Sequence, residues 1–118
     1  MNIKQFSLLS GLSVHTLRYY EKIGLLPEIK RNLNDYRDYS ENDIGWVTFL
    51  NKLKATGMPI VDMQIFVILK KEGEHNIPQR IEILKKHRQH IENELINIKD
   101  TLDKVDYKIS CYKNMLKK

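Results

Sequence analysis

One cysteine, three prolines and five glycines among 118 residues exclude several kinds of protein at once. A lone thiol, Cys111, permits no intrachain disulfide and no cysteine-based metal cluster within one chain. No apolar run approaches the roughly 20 residues that a membrane-spanning helix needs. The amino-terminal MNIKQFSLLSGLS has neither the basic start nor the long apolar run of a secretion signal. The expectation is a cytoplasmic, nucleoid-associated protein with no membrane partner. Catalytic patterns are missing as well: no Gly-rich phosphate loop, no nucleophile motif and no paired-carboxylate site. The sequence therefore predicts a protein that is not an enzyme and uses no cofactor or metal.

What is present is basic. The net charge is +5 with a pI near 9.3, and the excess is spread over both halves of the chain. Charge alone is thus a weak argument for a nucleic-acid partner, and local placement must carry it.

The chain divides in two. Residues 1–72 read as short helices punctuated by Gly or Pro, over about 3–10, 14–23, 41–56 and 59–71. Ser13 is a natural cap for the second, and Ser40 with Asp43 resembles a capping box for the third. The connection SGLS has the length of the turn in a helix-turn-helix. Between the second and third helices, residues 28–39 read as two short strands around Asn32–Asp35, a small hairpin. From Ile77 the pattern changes. Ile81, Leu84, Ile91, Leu95, Ile98, Leu102, Val105, Ile109 and Tyr112 recur at alternating spacings of four and three, with one lapse at Arg88. Such heptads predict a coiled-coil helix within 77–116, and about 38 residues of it would be close to 57 Å long at 1.5 Å per residue. A stripe of that length demands a second copy of the chain. Folding back on the small amino-terminal domain could cover only its first turns. The fold class is mainly α: short helices around a small hairpin, followed by a long dimerisation helix.

On a helical wheel, Val14, Leu17 and the ring edge of Tyr20 share one side of the second helix, while His15, Arg18, Tyr19 and Lys22 point away, flanked by Thr16. A helix entering the major groove needs this division between apolar anchors and outward hydrogen-bonding groups. Lys30, Arg31, Tyr36 and Arg37 of the hairpin could track phosphates beside it. Any surface helix also shows Arg and Lys outside and Leu inside. The competing reading is a coiled-coil protein-interaction module whose basic residues are merely solvated.

The run SGLSVHTLRYYEKIGLL, the later RNLNDYRDYS and the junction LKATGMPI resemble the amino-terminal domain of the MerR family of bacterial transcription regulators. The likeness is nearly gapless over about the first 70 residues. The run from Ile77 is similar to the dimerisation helix of short members, including those linked to aldehyde and thiol stress. The resemblance implies a winged helix-turn-helix amino-terminal domain and an antiparallel coiled-coil homodimer on near-palindromic, double-stranded promoter DNA. It also implies an activator that bends and untwists an overlong promoter spacer so that RNA polymerase engages both hexamers, in response to a small stress signal. By position, His15, Thr16, Arg18, Tyr19, Tyr20, Arg31, Tyr36 and Arg37 would contact DNA. Two positions depart from the family: His15 stands where Arg is usual, and Asp35 where Gly is usual.

The chain ends a few residues past the last heptad, so a short form without a separate effector domain is expected, and the effector itself is not identified. Aldehyde- or thiol-sensing relatives often carry a cysteine in the helix after the wing; WVTFLNKLKATG has none. Cys111, beside the seam, is the one redox or effector candidate; a small buried hydrophobe is the equally good reading. His87 and His90 share a helical face, as metal ligands would. Without partners at fixed spacing they read, with His75, as surface or interface residues.

Overall fold

The computed structural model describes residues 1–27 and 29–117. It is mainly α, with helices α1 (Ile3–Ser10), α2 (Val14–Lys22), α3 (Glu41–Ala55), α4 (Ile60–Lys71) and α5 (Ile77–Leu116), and a single 3-10 turn at Glu74–Asn76. Two compact units are present, Met1–Ile83 and Leu84–Lys118.

Helices α1, α2 and α3 each start where a side chain satisfies an orphan amide, whereas α4 follows Pro59 with no side-chain cap. Asn2 caps α1 in a full capping box: its Oδ1 accepts from the Gln5 amide at 2.9 Å, and Gln5 Oε1 accepts from the Asn2 amide at 3.0 Å. Ser13 caps α2, accepting from the Thr16 amide at 3.0 Å. Ser40 and Asp43 exchange the same pair of bonds at the start of α3. Gly11 ends α1 at φ +75°, donating to the Ser7 carbonyl, so the reversal into α2 takes only three residues.

The core of this unit is built from Phe6, Leu17, Tyr20, Leu25, Leu26, Tyr39, Val47, Leu50, Leu53, Met58, Met63, Phe66 and Val67. α1 packs on α2 and α3, and α3 on α4. The Phe6 and Tyr39 rings stack with centroids 4.5 Å apart. That contact ties the segment entering α3 to the first helix. The charged amino terminus adds to it, donating to Asp38 Oδ1 at 2.6 Å and to the Tyr39 carbonyl at 2.7 Å.

The segment between α2 and α3 differs from the expected pair of strands. Glu28, where that hairpin was expected to start, lies outside the described residues. Among the described residues the ladder shrinks to one antiparallel bridge, Arg31 with Arg37. The reason lies at the tip. The Asn32 amide donates to the Tyr36 carbonyl and the Asp35 amide to the Asn32 carbonyl, at 2.8 and 3.0 Å. This closes a three-residue loop whose last residue, Asp35, is left-handed at φ +63°. Asn32 Oδ1 also accepts from the amides of Asn34 and Tyr36, so a side chain supplies what a longer ladder would. Residues 31–38 are all exposed, and no apolar face presses them into a sheet.

α5 is a helix without glycine and, past its first turn, without proline. With 40 residues it is about 60 Å long. Its apolar stripe is open: Leu95 and Ile98 are each 64% exposed and Leu102 56%. His87 is the buried residue of this helix, with its ring 5.9 Å from that of His90. Burial first, and then the neighbouring His90, push its pKa below the ordinary 6.5. No helix among the described residues is long and apolar enough to cross a membrane.

Candidate nucleic-acid interface

α2 turns its two largest apolar groups inward and its hydrogen-bonding groups outward. Leu17 is fully buried, whereas His15, Arg18, Tyr19 and Lys22 are exposed. Thr16 is half-buried, and its hydroxyl accepts from Ser13 Oγ at 2.9 Å, so it serves the helix cap as well.

Tyr20 corrects the expectation of a DNA contact. It is only 1% exposed and belongs to the core. Its hydroxyl donates to Asn51 Oδ1 at 3.3 Å, and the Lys54 ammonium sits 5.3 Å from its ring centroid. A side chain enclosed in this way offers nothing to a duplex. The wheel had already turned its ring edge inward; the positional likeness to the family had not.

The wing brings Arg31, Tyr36 and Arg37 to the same side as Arg18. Together with Asn2, Ile3, Glu21, Asp35 and Tyr39 they line an open groove of about 280 Å³. Three guanidiniums against two carboxylates give its wall a net positive charge. Two internal contacts fix the geometry. Arg37 Nη2 meets Glu21 Oε1 at 2.6 Å, which ties the wing to α2. Arg31 Nη1 donates to the Asp35 carbonyl at 2.9 Å, which holds the guanidinium against the loop it helps to close. The Tyr39 phenol at the groove floor has its pKa raised, chiefly by burial and next by Glu21, with Arg37 and Arg18 acting in the opposite sense.

Sequence reasoning did not identify Glu21 and Asn32 as parts of this site. Asn32 sits three residues before Asp35, an Asx-turn signal readable from the sequence. Glu21 gave no such sign, because its partner is 16 positions away. Cys111 lies on α5, half-buried and unpaired, far along the sequence from the groove. Among the described residues no group of three or more His, Cys, Asp or Glu side chains is placed to hold a metal ion.

Residues 2–39, which carry α1, α2 and most of the wing, match the family described as MerR family regulatory protein. Over 120 aligned residues the chain is 38% identical to the uncharacterized HTH-type transcriptional regulator YyaN of Bacillus subtilis, covering 92% of this chain and 87% of that one. It is also 38% identical to the HTH-type transcriptional regulator AdhR of the same organism over 91 residues, which are 77% of this chain and 65% of AdhR. The fold is similar to a crystal structure of HiNmlR, a MerR family regulator lacking the sensor domain, bound to promoter DNA. The TM-score is 0.87 at 28% identity, covering 96% of this chain and 90% of that one.

Proposed function

The chain belongs to the MerR family of transcriptional regulators, and from that premise we propose that it works as a homodimer gripping double-stranded promoter DNA with α2 and the wing. The observation that carries the reading is the groove joining Arg18 of α2 to Arg31, Tyr36 and Arg37 of the wing. Phosphates are held by flexible cations and hydroxyls at the margin of a groove, and base edges are read by the helix between them. In this reading α2 enters the major groove through His15, Arg18, Tyr19 and Lys22, with Thr16 at its leading edge. The wing follows the adjacent backbone. Dimerisation through the open stripe of α5 doubles the contacts and matches a near-palindromic operator. The activating step is a distortion of an overlong promoter spacer that presents both hexamers to RNA polymerase. The trigger in this reading is a small stress signal, with Cys111 as its redox candidate.

The competing reading, a coiled-coil interaction module without specific DNA binding, is separated by a salt titration. Binding of the full chain to its own upstream DNA is followed by fluorescence anisotropy. Through several phosphates, affinity falls steeply and linearly on a log–log plot, with a slope near −0.9 per phosphate neutralised. Arg37→Ala should reduce that slope by about one and weaken binding at every sequence tested; Arg18→Ala should do the same if it holds phosphate, and act chiefly at one base step if it reads a base. If no segment of upstream DNA is protected, or both variants keep the parent slope, the proposed grip is wrong.

A further inference from the structure

We infer that Glu21 is a positioning residue for the DNA grip proposed above, on which the inference rests: its carboxylate holds the Arg37 guanidinium ready for a phosphate. A negative charge on that face would then strengthen the hold on an anion.

Two acids line the groove that also carries Arg18, Arg31 and Arg37, and they are placed differently. Asp35 stands at the exposed wing tip, 3.8 Å from the Arg31 guanidinium, where water weakens whatever it does. Glu21 lies in the last turn of α2 and is 32% exposed, with Oε1 2.6 Å from Arg37 Nη2. That is the length of a charge-assisted hydrogen bond. Helix stability does not account for a carboxylate there, because the carboxy-terminal end of a helix dipole disfavours negative charge. Repulsion from phosphate is a second cost. The contact with Arg37 is what offsets both.

Arg37 is fixed from two directions. Its backbone pairs with Arg31 in the antiparallel bridge of the wing, and its side chain ends on α2 through Glu21. A guanidinium presents a rigid planar fork of N–H donors. Glu21 engages one nitrogen, which leaves other donors of the fork for a phosphate. A long side chain that swings freely must be ordered when it binds, whereas one already held need not be. For a single such side chain the difference is worth about two- to tenfold in affinity. Repulsion between one carboxylate and one phosphate across about 8 Å of water takes back about twofold. Positioning is the larger effect, and it acts only through Arg37.

The test uses the full chain on its own upstream DNA, followed by fluorescence anisotropy at low salt, with urea unfolding of each variant as the check on folding. Glu21→Met keeps the length of the side chain and loses the acceptor. It should weaken binding about threefold, although it removes a negative charge. Glu21→Gln loses the charge but keeps an oxygen for the guanidinium, and should bind within about twofold of the parent. In an Arg37→Ala background the sign should reverse. With nothing left to position, Glu21→Met should tighten binding about twofold. Tighter binding by Glu21→Met in the parent background would make Glu21 a repulsive charge and nothing more, which overturns the inference. Equal losses in the Met and Gln variants overturn it by removing the hydrogen bond as the cause. A loss that persists in the Arg37→Ala background overturns it by removing Arg37 as the group held. A parent chain that does not bind its upstream DNA removes the grip itself, a result distinct from these.

Discussion

Asp35 offers the sharpest test of how the wing is built, because one side chain combines a backbone cost with an electrostatic one. Its φ of +63° is a left-handed conformation, held by the amide of Asp35 donating to Asn32 and by Arg31 donating to the Asp35 carbonyl. A residue with a β-carbon loses about 1–2 kcal/mol in that region, less for Asp, whose short polar side chain bonds locally. The carboxylate adds little in return. It is 87% exposed and 3.8 Å from the Arg31 guanidinium, the kind of surface pair that contributes almost nothing. Asp35→Gly should therefore relieve about 1 kcal/mol of strain and lose roughly half of that to the greater chain entropy of Gly. Asp35→Ala keeps the strain without the polar side chain and should destabilise by about 1 kcal/mol. Both differences are readable in urea unfolding of the full chain.

Asn tolerates the same backbone region, so Asp35→Asn isolates the charge. One carboxylate about 8 Å from a phosphate in water costs on the order of 0.5 kcal/mol, so Asn should tighten DNA binding about twofold at low salt. That gain should vanish as salt screens it. Equal stability of the Gly and Ala variants would refute the left-handed strain. An Asn variant with unchanged low-salt affinity would refute the placement of the wing tip beside phosphate.

Two further outcomes follow from burial. Tyr20→Phe removes only a long hydrogen bond to Asn51, so it should cost at most about 1 kcal/mol and leave DNA affinity alone, whereas Tyr20→Ala should cost about 3–5 kcal/mol. Weaker DNA binding by the Phe variant at unchanged stability would return Tyr20 to the interface. For His87, burial and His90 favour the neutral ring in the folded chain. Its contribution is complete above the ordinary 6.5 and is lost as pH falls through the lowered folded value. Thermal melts from about pH 7 to about pH 5 should show a decline that His87→Gln flattens; an equally steep decline in the variant would assign the effect elsewhere.

The parts of this protein that could be read in its sequence are those whose physics is local. Ser13 and the Ser40–Asp43 box announce helix starts because a cap bonds to an amide three residues on. Asn2 with Gln5 carries the same local signal at the extreme amino terminus. Inward and outward faces of α2 follow from a 3.6-residue period, with Leu17 inside and Arg18 outside. What escaped is non-local. The amino-terminal ammonium on Asp38, Glu21 on Arg37 and Asn51 on Tyr20 join positions 16 to 37 residues apart. The wing misled for a related reason. Alternating residue types suggest strands, but a ladder forms only where a face is buried, and every residue from Arg31 to Asp38 is exposed.

The stripe of α5 was legible for the opposite reason, since it depends on nothing else in the chain. Its residues lie open along the helix, with Leu95, Ile98 and Leu102 each more than half exposed. Covering nine such side chains on each of two copies, at about 1 kcal/mol apiece for partial burial, supplies on the order of 15–20 kcal/mol. Association costs an estimated 4–15 kcal/mol in lost freedom, so a pair of chains is favoured over a solitary one. Apolar burial of this kind is indifferent to direction and nearly indifferent to a slide of one heptad. Direction and register must come from groups that make a wrong alignment costly.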